Sequence, residues 1–334
     1  MIRPTMFENE GETMGKLRLI FICLACFFIL SGCQEKKQQP IDERESFAAT
    51  LNVGDFSIDF LNAAGEKFAR WELKKPYTGA TLLPDGDTLI LYGPEIEEVN
   101  FYSLKNGSLK KSFKCGKGIS NVLYLEPDAE FAFADKIQNK VRFFDENGKE
   151  TNSVKTPDYP MAMETDGKKL YVASFKGAKL SVINLRSHET ENEFNIPAST
   201  AGMLLREKEL WIGGHGKGDK PQSAISIYSL ETGTLKEELP APLMPVDFFE
   251  NEKGIYALSH GTNMLYHYNV HYELMNEAEI GANPFAIDSL GGKLVVAGFD
   301  SEKMYWINPD TLDIEETADV GKGPFVIFTR EKVK

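Results

Sequence analysis

The chain has few cysteines and few histidines, four and five among its 334 residues. Cys23, Cys26 and Cys33 crowd the N-terminus, and Cys115 stands alone beyond them. If the N-terminal segment is removed before Cys33 and that residue is modified, no pair is left to form a disulfide, and stability must come from packing. Positive charge is also in deficit: 37 Lys and Arg face 50 Asp and Glu, a formal net charge of −13. That balance favours solubility and argues against a nucleic-acid partner, whose phosphate backbone selects basic surfaces. Signatures of catalysis are missing too. There is no HExxH, no nucleophile elbow and no dinucleotide fingerprint. The glycine- and lysine-rich run 213–222 (GGHGKGDKPQ) lacks the terminal Lys-Ser/Thr of a phosphate loop and leads into no helical pattern. It reads as a mobile loop over one face.

What is present begins with residues 19–30, LIFICLACFFIL, an apolar run of twelve behind Lys16 and Arg18. Crossing a bilayer as a helix takes about 20 residues, so this run suits a signal-peptide core instead. LSGC follows at 30–33 and resembles the lipobox of bacterial lipoprotein signal peptides. The resemblance implies cleavage before Cys33 and a diacylglyceryl group on its sulfur. Residues 1–32 are thus expected to be a signal peptide, and Cys33 a lipid anchor to the extracytoplasmic face of the cell membrane. Glu8, Glu10 and Glu12 precede the basic residues, whereas a start at Met14 gives an ordinary basic leader, so Met14 is the expected true start. Residues 33–46 are polar, and 34–46 (QEKKQQPIDERES) is expected to be a tether with a flexible reach of about 20 Å.

From residue 47 onward the sequence repeats. A short β-type segment recurs as TLILY, EFAFA, KLYVA, ELWIG, GIYAL and KLVVA, with second residues Leu89, Phe131, Leu170, Leu210, Ile255 and Leu294. A spacing of roughly 40 residues between strand-type segments indicates propeller blades of four strands. Proline opens four of the strands that enter a repeat, at Pro160, Pro245, Pro284 and Pro324, where its missing N–H does least harm. Ala80, Val122, Ala162, Gly202, Asp247, Ala286 and Val326 occupy one repeat position near the start of these strands. They are mostly small, as crowding around an axis requires. Six complete repeats leave PFVIFTR, 324–330, as a first strand whose remaining three lie at 48–73. The expected fold is therefore all-β, a seven-bladed β-propeller over 47–334. Its C-terminal strand completes a blade with N-terminal strands, so no blade face is left open.

The repeat grammar is similar to that of the YVTN, or YncE-like, family of β-propellers. The residues that carry this are DGKKLYVAS at 166–174, LSVINL at 180–185, GANPF at 281–285 and INPDTLDI from Ile307. The resemblance implies the fold and no particular activity. WD40 repeats are disfavoured, because no Trp-Asp dipeptide occurs.

Histidine supplies the candidate chemistry. His215 and His260 both stand five residues beyond the second-strand marker, and both precede glycine. The repeat places them in equivalent loops of neighbouring blades. Asp247, the one charge among the small axial positions, shares a blade with His260. Two imidazoles and a carboxylate can hold a divalent metal or move protons. The equivalents Pro94, Lys136, Phe175 and Phe299 share no chemistry on this reading. His267 and His271 are expected on strands flanking a turn. The expected function is a membrane-anchored binding or scaffold module, using one propeller face for a protein, peptide or small molecule. The alternatives are a metal-dependent, lactonase-like hydrolase at the axial entrance and a structural envelope protein.

Overall fold

A computed structural model describes residues 37–126 and 128–332. The expected lipobox, with Cys33 and the signal segment, lies outside the described residues. Seven four-stranded antiparallel sheets account for nearly all the regular structure. Blade 2 spans 79–114, blade 3 119–155, blade 4 160–195, blade 5 200–240, blade 6 245–279 and blade 7 284–319. In each of these the chain runs outward from an inner strand. Blade 1 is composite. Phe47–Asn52, Ser57–Leu61 and Lys67–Glu72 supply three of its strands, and Pro324–Arg330 supplies the innermost. The join is antiparallel, with Phe47 opposite Arg330 and Leu51 opposite Val326.

Second strands are apolar at nearly every position, because both of their faces meet a neighbouring blade. Thr88–Tyr92, Glu130–Asp135 and Lys169–Ser174 are buried almost throughout. Outer strands such as Glu189–Asn195 and Ile314–Asp319 are exposed and rich in acidic residues, which protects an unpaired edge from association. The core is therefore a ring. Among the described residues seven apolar clusters occur, one at each blade–blade interface. The seventh packs Val295, Met304 and Trp306 of blade 7 against Ala48 and Leu61 of blade 1.

A buried polar latch reinforces the closure. The Asp59 side chain is fully buried and pairs with Lys67 and Arg70 at 3.1 and 3.0 Å. It also accepts hydrogen bonds from Asn52 Nδ2 at 3.0 Å and from the Gly321 backbone N–H at 2.7 Å. Asp55 accepts from the Lys322 N–H and pairs with Arg70. The loop entering the last strand is thus held by a charge 262 residues earlier in the chain.

One expectation about a local segment is corrected, and a second segment gains detail. The polar stretch read as a free tether up to Ser46 is docked from Gln38 onward. Ile41 is 1% exposed, and its N–H donates to the Leu104 carbonyl. The Gln38 N–H donates to the Gly107 carbonyl, and the Gln39 carbonyl accepts from Trp71 Nε1 at 2.8 Å. One buried isoleucine and these hydrogen bonds outweigh the polar composition. The run read as a mobile loop contains a short hairpin, Gly216–Lys217 paired with Lys220–Pro221.

The inner strand carries one extra residue near its start in six of the seven blades. A bulge of this kind re-aims the side chain it carries. The bulged residues include Met161, Phe285 and Phe325, all at one end of the central channel. The run Phe325 to Phe328, expected to be covered on both faces, is covered only in part. Phe328 is buried, while Phe325, Val326 and Ile327 are half-buried, because the innermost strand borders the channel.

Candidate functional site

Antiparallel four-stranded blades put the loops between second and third strands on the same face as the loops between blades. His215 and His260 occupy the former, just beyond Glu209–Gly214 and Gly254–Ser259. The structure brings them together: their ring centroids are 5.0 Å apart, at an interplanar angle of 68°. His260 Nδ1 lies 2.8 Å from Asn283 Oδ1, so the neutral ring keeps its proton on Nδ1 and leaves Nε2 unprotonated. That Nε2, and Nδ1 of His215, are buried without a hydrogen-bond partner. Burial, with a smaller push from the His260 ring, holds the His215 imidazole below the usual histidine range, against an opposing contribution from the Ser199 backbone.

The pair belongs to a longer arc of rings. Tyr159 meets Phe175 at 5.7 Å, Phe175 meets His215 at 6.0 Å, His260 meets Phe285 at 5.0 Å, and Phe285 meets Phe325 at 4.8 Å. Phe299 closes on Phe285 at 5.8 Å. The arc runs from blade 4 to blade 1 around the channel mouth. At its blade-4 end two cations flank Tyr159. Lys136 Nζ is 4.8 Å from the ring centroid and donates to the phenol oxygen, and Lys176 Nζ is 5.1 Å from the centroid. Phe175 and Phe299, read from sequence as sharing no chemistry with the histidines, continue the same aromatic arc. The signal was available: four consecutive blades carry Phe175, His215, His260 and Phe299 at one repeat position.

Asp247 does not join the histidines. Among the described residues no three of His, Cys, Asp and Glu gather closely enough to hold a metal ion. Its carboxylate instead accepts from the backbone N–H of Phe248 and, across to blade 7, of Ile287, each at 2.9 Å. The channel-facing edge of an inner strand has no ladder partner, so its N–H and C=O groups need others. Ser120 and Asn121 serve blade 4 in the same way, donating to the carbonyls of Pro160 and Met161. Burial pushes the Asp247 carboxyl up to about 7, against those two hydrogen bonds. Sequence reasoning missed two further channel acids, Glu164 and Asp288, which stand two residues beyond the small axial positions Ala162 and Ala286. Burial, then the charge of Asp247, raises Glu164 to about 7. Asp288 is raised by burial and accepts from Thr329 Oγ1 at 3.0 Å.

The other histidines are structural. His267 lies in Met264–Tyr268, stacks on Tyr256 at 4.5 Å and reaches the Lys253 carbonyl. His271, expected on a strand, sits in the following turn. His188 Nε2 lies 2.9 Å from Glu130 of the preceding blade, on the opposite face. Tyr272 and Glu209 repeat that clamp between blades 5 and 6.

Fold and mouth together define a seven-bladed β-propeller with an aromatic, histidine-bearing channel entrance. No family model matches the chain, and no curated protein matches it. Solved structures of the same shape include one described as dihydro-heme d1 dehydrogenase NirN in complex with DHE. It is 12% identical with a TM-score of 0.64, and the match covers 84% of this chain and 65% of that one. A functionally unknown protein from Desulfotomaculum acetoxidans DSM 771 is 8% identical with a TM-score of 0.70, over 85% of this chain and 99% of that one. Apo AztD from Citrobacter koseri is 13% identical with a TM-score of 0.58, over 86% and 98%. At these identities the likeness is one of fold.

Proposed function

We propose that the protein is a lipid-anchored, extracytoplasmic binding module whose channel mouth takes a planar, unsaturated, negatively charged small molecule. The observation that carries this is the arc of rings from Tyr159 to Phe325 with Lys136 and Lys176 at one end. Aromatic faces stack on planar ligands, and the two ammonium groups suit an anionic edge. Binding pockets are commonly apolar walls with a few placed polar groups. NirN, a propeller of the same shape, is described with DHE bound, which is compatible with this use of the fold. Anchoring rests on the lipobox at Cys33. Four residues lie between Cys33 and the docked Gln38, and the five steps from one to the other, at about 3.5 Å each, would keep the propeller within roughly 17 Å of the anchor.

Two experiments test the reading. Metabolic lipid labelling should mark the wild type and not Cys33→Ser; equal labelling defeats the anchor. Titration of the propeller with 8-anilinonaphthalene sulfonate, an aromatic anion with a planar naphthalene ring, should saturate and should weaken at least about tenfold in Phe175→Ala and Phe285→Ala. Leu274→Ala, on an exposed outer strand, serves as control. Unchanged dye binding in both phenylalanine variants defeats the mouth as the binding face.

A further inference from the structure

We propose that His215 and His260 together bind one Zn(II) ion at the channel mouth, through Nδ1 of His215 and Nε2 of His260. The inference deepens the reading of the mouth as a binding face and adds a second ligand class to it.

Three observations point the same way. First, the two nitrogens named are buried and lack a hydrogen-bond partner. An unpaired buried nitrogen is costly, and two of them on adjacent rings mark a place where one ion satisfies both. Secondly, His260 is oriented as metal-binding histidines are. Its other nitrogen, Nδ1, is held at 2.8 Å by Asn283 Oδ1, which fixes the tautomer with Nε2 free. Asn283 is itself placed by the bond its backbone N–H donates to Asn263 Oδ1 at 2.8 Å. Thirdly, the ring spacing has room for a shared tetrahedral ion. A metal–nitrogen bond of about 2.1 Å, with the nitrogen about 1.1 Å from its ring centroid, puts two centroids roughly 6.4 Å apart for linear coordination and roughly 5.2 Å apart for tetrahedral. The observed separation is 5.0 Å. Tetrahedral coordination by neutral imidazoles fits Zn(II), and the absence of oxygen ligands from the pair disfavours Mg(II) and Ca(II).

Among the described residues no third His, Cys, Asp or Glu joins the pair, so two coordination positions fall to water or to an incoming anion. Such a site is exchangeable in the manner of catalytic rather than structural zinc. The ion also supplies positive charge beside the aromatic arc, where an anionic ligand can complete its coordination.

Equilibrium dialysis of the metal-free propeller against ZnCl2 tests this. One ion per chain is expected, with binding lost in His215→Ala and in His260→Ala. Asn283→Ala should keep the site and weaken it by about 10- to 100-fold. Melting curves establish that each variant is folded. Co(II) added to the wild type reads the geometry without mutation: intense tetrahedral visible bands support the site, and weak octahedral bands overturn it. Zinc uptake that is absent, or that survives both histidine substitutions, also overturns it. Dye binding that persists without zinc uptake sinks the metal alone and leaves the binding face standing. Zinc uptake with no dye binding does the reverse.

Discussion

Replacing Phe328 tests whether the ring closes as described. Phe328 is 5% exposed and is the most buried side chain of the last strand among Phe325 to Phe328. Its ring lies 6.1 Å from both Phe47 and Phe60, edge to face, inside the cluster that joins blades 1 and 2. Phe328→Ala removes that contact and leaves a cavity, which costs about 3–5 kcal/mol at a well-packed site. A typical domain has only about 5–15 kcal/mol in hand, so the variant should fold with a much reduced margin. At roughly 2–4 °C per kcal/mol for a chain of this order of size, the melting temperature should fall by about 6–20 °C. Deleting 324–334 goes further. It removes Phe328, three half-buried neighbours and every ladder bond to Phe47–Asn52, and exposes that strand's edge. The truncated protein should be unfolded or oligomeric by size-exclusion chromatography. A monomeric truncation with unchanged melting temperature would refute a composite first blade. A terminal strand of an open array contacts only one neighbour and can be lost cheaply.

The remaining predictions concern charge and backbone. Asp59→Ala should destabilise by about 3 kcal/mol in urea unfolding, because Asn52 and the Gly321 N–H lose a buried partner; a change under about 0.5 kcal/mol means the latch is incidental. Gly148→Ala should be far worse than Gly167→Ala. Both glycines have φ near +80°, but a Cβ at 148 would lie 2.5 Å from Phe113, whereas one at 167 meets nothing within 4 Å. Equal melting temperatures would refute that contact. The channel acids set a pH slope. The folded carboxyls of Glu164 and Asp247 sit at about 7, above their ordinary 4.5 and 3.8, so the folded state holds extra protons between roughly pH 4 and pH 7. Their contribution to stability is therefore lost as pH rises through that window, by at most about 1.4 kcal/mol per pH unit per group. Glu164→Gln should flatten the slope and stabilise the protein at pH 8 relative to wild type; an unchanged difference across the window refutes the shift.

Much of the architecture was legible in the sequence because a propeller blade is a local pattern. Four strands joined by short turns leave the same apolar spacing in each copy, from Leu89 to Leu294. The surplus strand at 324–330 and the deficit before residue 74 match, so the closure of blade 1 follows from counting. The facing of His215 and His260 was also readable, since equal offsets in adjacent repeats put equivalent loops side by side. Asp247 was misread for a related reason. Repeat position gives the radius at which a side chain sits, but not its hydrogen-bond partner, and this carboxylate is taken up by the Ile287 N–H of the next blade.

The sequence by itself determined the fold, the number of blades and the pairing of the two histidine loops, because all three depend on periodicity along the chain. Only the tertiary structure decided the rest. It showed that Ile41 anchors a segment too polar to be expected to order. It turned Tyr159, Phe175, Phe285 and Phe325 into one arc with the histidines. It set Glu164 within reach of the Asp247 charge. Most of these are contacts between neighbouring blades, made by residues far apart in the chain. Their strength depends on where bulges and burial aim each side chain, which a repeat read along the chain does not specify.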